Sequence, residues 1–247
     1  MVPHRVQVEL DISRCRGENC LVGSNFIRLP DDATPYYTAW LNGLSENDLF
    51  LQQYRECTII CPTWFMHRNV YNAVAARRGG RAFVERAGHL GRVPEDLFFF
   101  LDHLEGGGTL AKSHEALVAY RYSPNGWSVG TKSVDLQRVR IEYLQRLVID
   151  NWASFSIWGY GRDGRKFINL LRKENAEKVA SYCDVDEKKI GMDFFCNSIR
   201  KRLPVVDYRQ VTPPFIVCVG SKRYSGELEH NIKSLHFVEG RDYFHFC

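Results

Sequence analysis

Residues 153–172 read Ala-Ser-Phe-Ser-Ile-Trp-Gly-Tyr-Gly-Arg-Asp-Gly-Arg-Lys-Phe-Ile-Asn-Leu-Leu-Arg. Ala153–Trp158 has the short apolar character of a strand, Gly159–Gly164 is a glycine-spaced turn, and Arg165–Arg172 follows with helical spacing. A second strand is expected over Lys178–Cys183, ending at Asp184. Val205-Val206 and Phe215–Val219 supply further strands, Leu228–Leu235 a helix and Tyr243–Phe246 a last strand. Strands alternating with helices predict a small parallel α/β domain over residues 151–247.

The glycine run has two readings. Gly159, Gly161 and Gly164 open a helix after a strand, and Asp184 stands about twenty residues further on. That is the context of a nucleotide site: a diphosphate at the helix N-terminus and an acid for ribose hydroxyls. The other reading is a tight strand–helix crossover that needs glycine for its own geometry and binds nothing.

Working toward the N-terminus, Ser133–Asp150 shows helical spacing through Leu136, Val139, Tyr143, Leu144 and Leu147. Leu117–Tyr122 is expected to be a strand, and Gly106-Gly107-Gly108 to close a helix that starts near Glu95. That helix is preceded by Pro94 and carries Glu95 and Asp96 in its first turn, ahead of the apolar run Leu97–Leu101. Two carboxylates held at the lip of a core suit base chemistry. They equally suit simple capping of a helix dipole.

Residues 77–92 carry Arg77, Arg78, Arg81, Arg86 and Arg92 among glycines, which predicts a mobile basic loop. Thr58–Cys61 is β-rich and Cys20–Leu29 reads as a strand. Thr34–Glu56 is helix-rich, with Ser45 and Asp48 spaced as a capping box. A first helix is expected from Pro3.

The chain has 247 residues, 45% of them hydrophobic, enough for a core. Its formal net charge of +4 permits a nucleic-acid partner without requiring one. The polar N-terminus does not read as a signal peptide, and no apolar run approaches a membrane span. None of the eight cysteines forms a Cys-x-x-Cys pair, so reduced thiols and a cytoplasmic location are expected.

Pro62-Thr63-Trp64-Phe65, Val93-Pro94-Glu95-Asp96-Leu97-Phe98-Phe99-Phe100 and Tyr120-Arg121-Tyr122 together resemble the later half of family 2-like, GT-A-type glycosyltransferases. Trp152-Ala153 with Ile157-Trp158, Cys183-Asp184-Val185-Asp186-Glu187, Pro213-Pro214-Phe215 and Ser234-Leu235-His236 are similar to members that glycosylate queuosine in tRNA. The resemblance implies the later half of a nucleotide-diphospho-sugar transferase domain over residues 1–150, followed by a small Rossmann-like domain.

It also implies a UDP-sugar donor, with galactose as the hexose, a tRNA acceptor, and inversion in one displacement. Asp96 takes the role of base and Glu95 that of its orienting partner. Thr63, Trp64, Phe65 and Arg121 fall at acceptor-side positions, and the basic loop could meet tRNA phosphates.

Such enzymes use a divalent metal, Mn or Mg, whose ligands are not expected in this chain. The donor-binding half, an opening strand and an Asp-x-Asp motif ending a core strand, is not found ahead of these motifs. Asp31-Asp32 precedes a proline-containing loop and is no substitute, and Ser123 stands where the relatives have histidine. The chain alone is therefore expected to be inactive, to begin mid-domain, and to leave a sheet edge unpaired.

Overall fold

Why Cys20–Leu29 forms a strand is visible in its burial: seven of its ten residues are buried and only Ile27 is exposed. The computed structural model describes residues 1–83, 95–124, 131–220 and 226–247. It shows a mixed α/β protein that divides into two compact units, Met1–Val139 and Arg140–Cys247. The division falls inside a helix, α6 (Ser133–Leu147), rather than after it at residue 150.

In the first unit, α1 (Arg5–Arg16) leads into β1 (Cys20–Leu29), α2 (Pro35–Gly43) and α3 (Glu46–Leu51). Next come β2 (Phe65–Met66), α4 (Arg68–Arg77), α5 (Glu95–Glu105) and β3 (Thr109–Arg121). The sheet order is β2-β1-β3, with β1 antiparallel to β2 and parallel to β3. Among the described residues, no strand pairs with the β2 side of β1 beyond Val22. There the Asn42 side chain accepts from Phe26 N at 3.2 Å and donates to Phe26 O at 2.8 Å.

Three expectations change here. The strand expected at Leu117 begins at Thr109 instead. The polar stretch Lys112–Glu115 hides the continuity, because the ladder shifts register after Ser113 and Asn25 Nδ2 donates to the displaced His114 carbonyl at 2.8 Å. Thr58–Cys61 joins no ladder among the described residues: Thr58–Ile60 is irregular, Cys61 opens a 3-10 turn (Cys61–Thr63), and Ile59 packs so closely on Gly23 that a Cβ there would lie 2.1 Å from Ile59 Cγ2. The basic loop of residues 77–92 begins as the last residue of α4, and its residues 84–92 lie outside the described residues.

In the second unit the order is β4 (Phe155–Trp158), α7 (Arg162–Leu170), α8 (Lys173–Glu177), β5 (Val179–Asp184) and β6 (Asp193–Cys196). It continues through β7 (Lys201–Asp207), β8 (Phe215–Val217), α9 (Glu227–Ser234) and β9 (Tyr243–His245). The sheet runs β6-β7-β5-β4-β8-β9, parallel throughout except for the β6–β7 pair. The chain builds outward from β4 through β5 to β7, then returns to the other side of β4 as β8. That reversal opens a crevice between the carboxyl ends of β4 and β8.

α7 starts at Arg162, three residues earlier than expected, because Gly161 in extended conformation already serves as its N-cap. β6 escapes sequence reading because it is short and exposes Phe195 at the sheet edge.

Candidate functional site

Two places collect chemistry, one in each unit. In the first, α5 plants the run Leu97–Leu101 in the core, every member at most 3% exposed, and so fixes its first turn against that core. Asp96 accepts a hydrogen bond from Leu97 N at 2.7 Å. Its carboxyl group is nevertheless held above the ordinary aspartate range, chiefly by burial, with repulsion from Glu95 and Glu56 adding to it. A carboxylate with raised proton affinity is a better general base than an exposed one.

Groups not singled out in the sequence surround it. Burial, reinforced by Asp96 and Glu95, pushes the Cys61 thiol up to about 11. Burial and the nearby Glu56 hold the Tyr37 phenol well above its usual value, and Arg28 partly offsets this. Arg28 is itself enclosed: its Nε donates to Thr34 Oγ1 at 3.2 Å and its guanidinium lies 4.4 Å from the Tyr120 ring centre. An arginine inside the apolar strand Phe26–Leu29 was the one available signal. Tyr37, Glu56 and Cys61 carry none, since only the fold brings their segments to Asp96.

The expected acceptor-side residues divide. Trp64 is half-buried, anchored by its indole N–H donating to Ile59 O at 2.9 Å, with its ring 5.2 Å from Phe99. Phe99 lies one helical turn after Asp96, so Trp64 is carried to the flank of the same helix. Phe83 stacks on Phe99 at 4.7 Å and is 43% exposed, extending that aromatic surface toward solvent.

Thr63 is fully enclosed and spends its hydroxyl on Ile60 O at 2.8 Å. Phe65 packs against Cys20, Val22 and Ala111. Arg121 ends β3 on the surface, opposite Leu29. Among the arginines of the basic stretch, Arg78 is buried against Asp102 and over the Phe98 ring, and Arg77 pairs with Glu105 at 2.9 Å. Both are structural, whereas Arg81 is exposed.

The second site is a cleft of about 170 Å³ at the carboxyl ends of β4, β5 and β8. Its glycines differ in what demands them. Gly159 has φ +109°, and a Cβ there would lie 2.7 Å from Val219 Cγ2. At Gly164 a Cβ would lie 2.0 Å from Gly159 O, so only glycine lets α7 pack this close. Gly161 has an unexceptional φ of −122° and nothing within 4 Å of the Cβ position, so no protein contact requires glycine there.

Asp184 closes the site from below. Its carboxylate accepts from Tyr160 N at 2.8 Å, from Asp186 N at 3.0 Å and from Lys189 Nζ at 3.1 Å. It therefore clamps the glycine turn. Asp184-Val185-Asp186 is an Asp-x-Asp triplet, but the Lys189 ammonium bridges its carboxylates, at 3.1 Å from Asp184 and 3.5 Å from Asp186. Among the described residues that line the cleft are the acids Asp163, Asp184, Asp186 and Glu227 and the cations Arg162 and Lys189.

Among the described residues no three His, Cys, Asp or Glu side chains converge as a metal site. No described helix is long and apolar enough to cross a membrane. No protein-family model matches this chain, and no solved structure matches it significantly.

Proposed function

We propose that the first unit is the acceptor side of a GT-A, family 2-type glycosyltransferase, similar to queuosine-tRNA galactosyltransferase, and that its acceptor is the queuosine of a tRNA. The observation that carries this reading is Asp96: a desolvated carboxylate of raised proton affinity, on the same helix as the Phe99 that packs on Trp64.

In the reaction, Asp96 takes the proton of the acceptor hydroxyl as the oxygen attacks the anomeric carbon of a UDP-hexose. The bond to the diphosphate breaks, UDP leaves, and the anomeric centre inverts. Glu95 raises the basicity of Asp96 by repulsion, and the Trp64 and Phe83 rings, packed on the buried Phe99, offer an apolar face to the sugar or cyclopentene ring.

Binding is the first test. A tRNA carrying queuosine should bind more tightly than the same tRNA without it, Trp64→Ala should remove the difference, and Asp96→Asn should keep it. Equal affinity for the two tRNAs overturns the reading. Any label passed from UDP-galactose to the tRNA should fall by about 100-fold or more in Asp96→Asn.

A second reading is favoured by Gly161. The strand order and the glycine turn suit a Rossmann-like nucleotide site, and open space at Gly161 suits a ligand passing close to the backbone. The described acids of the lining, Asp163, Asp184, Asp186 and Glu227, suit ribose hydroxyls and base amino groups. Titration with UDP and with NAD tests it: Gly161→Asp should abolish binding of whichever binds while leaving the unit folded.

A further inference from the structure

The carboxyl ends of the parallel pair β1 and β3 set an arginine among aromatic rings. Arg28 lies opposite Tyr120 in the ladder, which Tyr122 N prolongs by donating to Leu29 O at 2.7 Å. Side chains two residues apart share one face of a sheet, so Phe26, Arg28, Tyr120 and Tyr122 form a single stripe. The Arg28 guanidinium carbon lies 5.5 Å from the Phe26 ring centre, 4.4 Å from that of Tyr120 and 6.0 Å from that of Tyr122. Exposure rises along the stripe from 2% at Phe26 through 9% at Arg28 to 40% at Tyr122, which places the cation where the core opens to solvent.

Among the described residues Arg28 is buried without a counter-ion. Its Nε donates to Thr34 Oγ1 at 3.2 Å, but no described carboxylate pairs with it and no described acceptor meets its Nη groups. Two other enclosed arginines of the first unit are paired, Arg5 with Glu9 and Arg78 with Asp102. A buried charge is normally matched by an opposite one, and ring faces supply only part of that. Thr34 holds the Nε edge of the guanidinium plane. The two Nη groups remain as a fork of the shape that grips a phosphate with parallel hydrogen bonds.

We propose that Arg28 is a phosphate-binding residue for a single strand of RNA, with the adjoining base stacked on Tyr122. Tyr122 is exposed enough to receive a base, while Phe26 and Tyr120 fix the cation from the core side. RNA as the source of the phosphate rests on the acceptor reading proposed for the first unit; the need of a buried arginine for an anion does not. A phosphate contact positions the strand and carries no base information, so it acts alike on tRNA with and without queuosine.

Binding of the full chain to both tRNAs is measured by fluorescence anisotropy from about 50 to 200 mM salt. Arg28→Gln should weaken both complexes by about 10-fold and lower the slope of log affinity against log salt by about 0.7, the share of one single-strand phosphate. Tyr122→Ala should weaken both by about 10-fold and leave the slope as it was. The preference for queuosine, which Trp64→Ala is expected to remove, should survive both changes. Circular dichroism checks that each variant folds. If Arg28→Gln does not, Arg28→Lys takes its place and should weaken binding with the slope kept, because the charge stays and the fork is lost.

Equal affinity for the two tRNAs, with the Arg28→Gln losses intact, overturns the queuosine reading and leaves this one standing. Wild-type affinity in the Arg28 variant or in Tyr122→Ala, or no binding of either tRNA by the wild-type chain, overturns the proposal. So does a loss of UDP binding in Arg28→Gln with tRNA binding unchanged, since the phosphate would then belong to the donor.

Discussion

The surroundings of Asp96 and the cleft beside Asp184 place an aspartate in opposite circumstances. Asp184 is buried with every need met: two backbone N–H groups and a lysine ammonium satisfy it. Asp96 is half-buried beside two further carboxylates, and among the described residues the Leu97 N–H donates to its carboxylate at 2.7 Å. The first arrangement stabilises a loop; the second costs stability and leaves a proton acceptor ready. A charge the fold has neutralised is architecture, whereas one it leaves under-compensated is the stronger candidate for chemistry.

The sharpest way to break this comparison lies in the glycine turn that Asp184 holds. Gly164→Ala should cost about 3 kcal/mol or more, since the new methyl would collide with Gly159 O. Gly161→Ala should change stability by less than about 0.5 kcal/mol. Urea unfolding of the two variants checks this, and equal losses would mean that the turn is built otherwise.

A second buried charge in the first unit gives the next largest effect. Lys112 donates to Leu41 O at 2.7 Å and Asn42 O at 3.2 Å, and burial brings its pKa down to about 8, against 10.5 when free. Between those values the unfolded chain holds more protons than the folded one, so stability must rise with pH from about 8 to 10.5. After allowance for solvent screening the rise is about 2 kcal/mol. Lys112→Met should flatten it, as denaturation midpoints at several pH values will show.

The smallest expected effect bears most directly on function. The pKa of Asp96 is raised on folding, so its contribution to stability falls as pH climbs from the unfolded toward the folded value, and the cost is present in full above both. Asp96→Asn should therefore stabilise the protein near neutral pH, by at most about 1 kcal/mol. A clear loss of stability at pH 7 would make Asp96 a structural cap.

Much of the architecture was legible where local chemistry determines it. The apolar run Cys20–Leu29 is β1, and Ser45 and Asp48 form their reciprocal cap, with Asp48 Oδ2 accepting from Ser45 N at 3.0 Å. Strand–glycine–helix at residues 155–170 was equally plain. The first half of β3 was not, because a register shift lets Lys112–Glu115 lie in a ladder without apolar alternation.

Nor were the neighbours of Asp96 legible. Tyr37, Glu56 and Cys61 come from separate segments, and their proximity is a property of tertiary structure alone.

The Asn42 amide, bonded to both Phe26 N and Phe26 O, has a consequence for assembly. An open strand is a template, and extension along it requires an unbroken row of vacant hydrogen-bonding groups. A single side chain plugs that row at its middle. Any strand arriving along β1, from another molecule or from elsewhere in the same polypeptide, must first evict Asn42 and leave its amide to water. The edge thus has a lock whose key is one residue, and growth of the sheet in that direction becomes an activated event.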